Sequence, residues 1–71
     1  MRKHELIEKW GSLKNELKLL IVVVKLPSGA LETMINTEHL NDKLKYLIDN
    51  YNGDLKLINN PDIEIVEYII L

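Results

Sequence analysis

Apolar residues in the first third of the chain recur at alternating spacings of four and three: Leu6, Trp10, Leu13, Leu17 and Leu20 share one stripe, and Ile7 widens it. This period predicts an amphipathic helix over residues 3–18, with Lys3, Glu5, Glu8, Lys9 and Lys14 on the remaining surface. Gly11-Ser12 falls in its middle. A helical glycine costs about 1 kcal/mol relative to alanine, so the expectation is a bend there or a helix that begins properly beyond it.

The period then disappears. Leu19 to Leu26 is apolar and rich in β-branched residues, which predicts a strand buried on both faces. Pro27-Ser28-Gly29 is turn chemistry, because Pro presets one corner and Gly accepts a positive φ at the next. Residues 30–36 predict a second strand that closes a hairpin. Thr37 is the expected N-cap of a second helix, with Glu38 in its first turn. In that helix Leu40, Leu44, Leu47, Ile48 and Tyr51 line one side, and Asn52-Gly53 stops it. Residues 55–58 predict a short strand that Asn59-Asn60-Pro61-Asp62 breaks. A last strand covers 63–71, and its alternation slips phase at Ile65-Val66 in the manner of a bulge. A strand reaching Ile69-Ile70-Leu71 is expected to lie within a sheet or an interface.

The order α-β-β-α-β-β therefore points to one small α+β domain over residues 1–71. Its expected form is a two-layer sandwich, an antiparallel sheet with the helices on one face. The pattern leaves open whether the hairpins pair within one chain or across a dimer.

At 71 residues with no cysteine, the chain has a marginal core and no disulfide to reinforce it. Self-association is one remedy for chains of this size. The absence of cysteine fits a reducing compartment. The longest apolar run, Leu19–Val24, falls far short of the ~20 residues of a membrane span. Glu5 and Glu8 interrupt any signal-like segment, so the expectation is a cytoplasmic protein with no membrane contact. The net charge of −2 is mild. It is unevenly spread: Arg2, Lys3, Lys9, Lys14 and Lys18 outnumber Glu5, Glu8 and Glu16 at one end, while Asp54, Asp62, Glu64 and Glu67 face only Lys56 at the other.

Chemistry-bearing constellations are thin. Ser28, His39 and Asp42 contain the residue types of a hydrolytic triad, but serine is common in Pro-Ser-Gly turns, and His39 and Asp42 are ordinary neighbours on a helix. His4 with Glu8, or His39 with Asp42, supplies only two of the four ligands that structural zinc takes. Gly11, Gly29 and Gly53 are isolated, so no phosphate-binding loop is formed. The expectation is a non-enzymatic protein without cofactor, metal or catalytic residues.

Two binding readings remain. The stripe Leu6, Trp10, Leu13 and Leu17 is either core or a protein interface, and tryptophan is enriched at interface hot spots. The basic side chains Lys3, Lys9, Lys14 and Lys18 offer a nucleic-acid alternative. Trp10, Tyr46, Tyr51 and Tyr68 do not interleave with basic residues as a stacking platform requires, which makes that alternative the weaker one.

Residues 25–71, KLPSGALETMINTEHLNDKLKYLIDNY followed by NGDLKLINNPDIEIVEYIIL, resemble small proteins encoded by phages and prophages of low-GC Gram-positive bacteria. The abundance of Ile, Lys and Asn fits translation from AT-rich DNA. The resemblance transfers no functional residue. It implies a lineage of tiny acidic proteins that bind and block a host protein. The leading expectation is therefore a protein-binding module that forms a homodimer and modulates a host partner.

Overall fold

The computed structural model describes residues 2–71, the side chain of Lys14 excepted. Helix α1 (Arg2–Leu13) runs into a 3-10 turn (Lys14–Glu16). Strand β1 (Leu20–Lys25), strand β2 (Leu31–Asn36), helix α2 (Leu40–Asn50) and strand β3 (Glu64–Ile70) follow. Among the described residues these elements form a two-layer α+β fold of order α-β-β-α-β. Its three strands lie in the order β2-β1-β3, antiparallel throughout.

Strand β1 is central because its apolar run finds a ladder on each side. Leu20, Val22 and Val24 face the helices and are buried, whereas Ile21 and Val23 are half-buried on the opposite face. Burial on both faces was expected of this run. The helices cover one face only, and among the described residues no further layer lies over the other. The core joins Leu6 of α1 and Leu40, Leu44 and Leu47 of α2 to Leu20, Val22, Val24, Ile65 and Ile70 of the sheet. Opposite β3, Val23 pairs with Glu67 and Val24 with Ile65, so Val66 is the extra residue of a bulge. This is where the sequence slips phase.

The β1–β2 turn follows its sequence. Gly29 takes φ +91°, and the Leu26 and Gly29 amides donate to the Ala30 and Leu26 carbonyls at 2.8 Å each. Four other expectations are corrected. Helix α1 ends at Leu13 rather than residue 18, and it passes through Gly11 without interruption. The Lys18 and Leu19 amides donate to the Leu71 carbonyl at 2.6 and 3.1 Å, and the Leu71 amide donates back to Leu19. That long-range pairing draws the chain beyond Glu16 into extended form before the stripe is exhausted.

Helix α2 begins at Leu40, later than a Thr37 cap implies. Its N-cap is His39, in the left-handed region at φ 53° with no side-chain cap bond, and the His39 carbonyl accepts the Lys43 amide at 3.1 Å.

Residues 55–58 do not form a strand. Only isolated bridges, Tyr51 with Leu57 and Lys56 with Glu64, occur there. Asn52 Oδ1 accepts the amides of Asp54 (2.9 Å) and Lys56 (3.0 Å) and holds the segment in a turn. Leu55 sits at φ 61° yet is 0% exposed. A left-handed non-glycine residue costs about 1–2 kcal/mol, and burying a leucine returns about 1.5–3 kcal/mol. Burial wins, and strand geometry is given up.

Candidate functional site

The helix stripe that the sequence offers as core or interface is turned inward in the single chain. Leu6 is fully buried, and Trp10, Leu13 and Leu17 are packed against the core at its margin. Trp10 Nε1 donates to Asn41 Oδ1 at 2.7 Å, tying α1 to α2 at the rim. Leu17 borders a shallow polar groove of about 420 Å³ between the 3-10 turn and the start of α2, together with Asn15, Thr37, His39 and Asp42.

The basic residues of the first helix divide into two groups. Lys3 Nζ donates to the Tyr51 carbonyl at 2.8 Å, and Arg2 Nη1 donates to the Ile65 carbonyl at 2.8 Å while lying 3.5 Å from Glu64. Both side chains fasten α1 to the rest of the fold. Lys9 is exposed and Lys18 lies at the surface beyond the helix. The Lys14 side chain lies outside the described residues. His4 Nε2 lies 2.9 Å from Glu8 on the exposed face of α1, and Glu5 is exposed beside them, so carboxylates are interspersed with the cations.

The structure does not assemble the hydrolytic residue set. Ser28 is in the turn before β2 and accepts the Ala30 amide at 3.3 Å, whereas His39 and Asp42 lie beyond the far end of β2. Six residues of strand separate them, roughly 20 Å at the usual rise. Among the described residues no three His, Asp or Glu side chains gather where a metal ion would be held.

Three groups have shifted ionisation. Burial raises the Tyr51 phenol above its ordinary value, with Tyr46 adding to it. Burial also raises Tyr68, with Glu5 and Glu67 reinforcing and Arg2 opposing. The Lys45 ammonium is raised by its hydrogen bond and charge attraction to Asp49, at 2.6 Å on exposed α2 surface. These shifts have structural causes and mark no reactive pair.

What the fold leaves open is a surface. Residues directly paired across an antiparallel ladder share a face, and the register puts Ile21 between Ile35 and Ile69 and Val23 between Thr33 and Glu67. Leu31 lies beside Lys25 at the same face. Leu31 is 64% exposed, Ile35 67% and Ile69 45%. The face away from the helices is therefore largely apolar, with Thr33 and Glu67 flanking Val23 and with Lys25 and Glu64 at one end. Strand β2 is in addition exposed on both sides, with only Asn36 half-buried. On the helix side, a groove of about 390 Å³ runs between β2 and α2, bordered by Val22, Met34, Lys43, Tyr46 and Tyr51.

The sequence places β1 and β2 correctly, expects Ile21 to be buried and Ile69 to lie in a sheet or an interface, and singles out neither Leu31 nor Ile35. Each is apolar, as core residues are, and only the one-sided helix layer distinguishes them. The nearest signal in the sequence is the weak alternation of Leu31 to Asn36, where Leu31, Thr33 and Ile35 share a face without a clean polar partner set.

No helix among the described residues is long and apolar enough to cross a membrane. Comparison with protein-family models, with curated proteins and with solved structures finds nothing that matches this chain.

Proposed function

We propose that the chain is a non-enzymatic protein-binding module that self-associates, and that the uncovered face of its sheet is a contact surface. The observation that carries this reading is the strip of Leu31, Ile35, Ile69, Ile21 and Val23, half-buried to exposed and facing no other part of the described chain. Exposed apolar patches with polar residues at their margins recur at protein contact sites. In this reading the partner is a host protein that the module binds and modulates in the cytoplasm, as the resemblance of residues 25–71 to phage-encoded proteins implies.

The test is capture from host cells with the wild-type chain and with an Ile35→Glu/Ile69→Glu variant whose circular dichroism matches wild type. A protein retained by the wild type and lost by the variant is the expected result. Equal retention by both, or no retention by the wild type, overturns the reading. The nucleic-acid alternative has less support, since Lys3 and Arg2 are already bound to backbone carbonyls. It requires salt-sensitive oligonucleotide binding that Lys9→Glu abolishes.

A further inference from the structure

We infer that two copies of this chain pair through β2, edge to edge and antiparallel, with Thr33 on the two-fold axis, so that their three-stranded sheets become one continuous sheet. The inference rests on the self-association proposed above and assigns it a surface and a register.

The backbone provides the first argument. The Leu26 amide donates to the Ala30 carbonyl, so residues 26 and 30 form a hydrogen-bonded pair. In an antiparallel ladder such pairs alternate with non-bonded ones. The bonded pairs that follow are Val24 with Glu32 and Val22 with Met34, which leaves Leu31, Thr33 and Ile35 with both N–H and C=O directed away from β1. The mutual bonds of Leu19 with Leu71 agree with this phase, because they direct the odd-numbered residues of β1 toward β3.

The second argument is sparse protection. Exposed edges are ordinarily blunted by proline, charged side chains, a bulge or a covering segment. Strand β2, Leu-Glu-Thr-Met-Ile-Asn, has neither proline nor lysine, its pairing with β1 is regular throughout, and its one charge, Glu32, is on the helix face. The other edge of the sheet is partly closed. There the Ile65 amide donates to the Leu55 carbonyl at 2.8 Å and the Leu57 amide to the Ile63 carbonyl at 2.9 Å.

Charge and side-chain pairing then select the register. A two-fold axis at Glu32 sets the only charged residue of β2 directly against its own copy, which is unfavourable. An axis at Met34 carries the outward groups of Leu31 past the end of the partner strand. An axis at Thr33 lets Leu31, Thr33 and Ile35 bond with Ile35, Thr33 and Leu31 of the second copy. On the outer face this sets leucine against isoleucine and threonine against threonine, both favourable cross-strand pairs. On the helix face Glu32 falls beside Met34 of the second copy, at the groove that Lys43 borders together with Asp42 and His39. An axis perpendicular to the sheet keeps all helices on one side and joins the two outer faces into one apolar surface.

The chain contains no cysteine, so introduced thiols report cleanly. Light scattering on the wild-type chain is expected to give the mass of two copies. Thr33→Pro is expected to give one copy with unchanged circular dichroism, since the Thr33 amide bonds nothing in its own sheet and proline is tolerated at such an edge position. Ile69→Glu, on the far strand, is expected to remain dimeric. A short bis-maleimide cross-linker, which adds one cysteine thiol at each end, is expected to join Thr33→Cys copies and not Asn59→Cys copies. A dimer that survives Thr33→Pro, or Thr33→Cys copies that fail to cross-link, overturns the edge pairing while leaving self-association through another surface. A wild-type chain that is monomeric at every concentration overturns self-association as well, and leaves host-protein binding to the capture experiment. If Thr33→Pro does not fold, the cross-linking result decides.

Discussion

Strands β2 and β3 flank the same central strand and are nearly equal in length, yet the fold treats them differently. Strand β3 buries Ile65 and Ile70, receives Arg2 on the Ile65 carbonyl, and has residues 55–57 against the start of its free edge. Strand β2 buries none of its residues. The difference arises from the helix layer, because α1 is anchored at Gly53, Tyr51 and Ile65 while α2 stops short of covering Met34. One edge of a small sheet can therefore belong to the core while the other holds its place by backbone pairing alone, ready to add a strand.

The strongest way to break this comparison is to truncate one side chain on the helix face of each edge. Ile65→Ala, at a position 1% exposed, is expected to cost about 2–5 kcal/mol by loss of burial and formation of a cavity. Met34→Ala, on the corresponding face of β2, is expected to cost less than about 1 kcal/mol in the monomer. Urea denaturation of both variants in the monomeric Thr33→Pro background gives the two values, and similar costs would refute the asymmetry.

The next effect concerns the tie between the helices. Trp10→Phe and Asn41→Ala each remove the Trp10–Asn41 hydrogen bond, and each is expected to lose about 1 kcal/mol. A double-mutant cycle separates that bond from the packing of the ring, and a coupling of zero would show that the rim contact adds nothing.

Gly11→Ala works in the opposite direction. A Cβ at Gly11 meets nothing within 4 Å, so the variant is expected to gain about 0.5–1 kcal/mol. Thermal denaturation should show a Tm higher by a few degrees. Hydrogen exchange sharpens the contrast: in the same monomeric background the outward amides of Leu31 and Ile35 should stay fast while amides of β1 slow with the added stability.

The smallest effect is alkaline. Tyr51 and Tyr68 are raised in the folded state, by burial first. The unfolded chain therefore loses those protons first, at about pH 10. Their contribution to stability is complete below that pH and is lost as pH rises through the folded values. Tyr68→Phe, on β3, should lessen the loss, and an unchanged pH profile would remove Tyr68 as a cause.

Much of this architecture is legible along the chain because it is local. The 3.6-residue periods of α1 and α2, the Pro-Ser-Gly turn with Gly29 at φ +91°, and the phase slip at Val66 all express preferences of a few neighbouring residues. The misreadings share the opposite property. Leu17 continues the helical stripe, but backbone pairing with Leu71 ends the helix first. Leu55 reads as strand, but Asn52 and a fully buried site hold it in a left-handed turn.

The candidate surface belongs to the second kind. Leu44 and Ile35 are both aliphatic and both sit at regular positions of their elements, yet one is 0% and the other 67% exposed. Hydrophobic period determines which residues share a face, because it follows from backbone geometry. Which faces meet another layer depends on how two short helices distribute over three strands. Two helices of this length cover one face of the sheet and not the whole of that, and so the tertiary structure alone decided that Ile21, Leu31, Ile35 and the edge of β2 remain open.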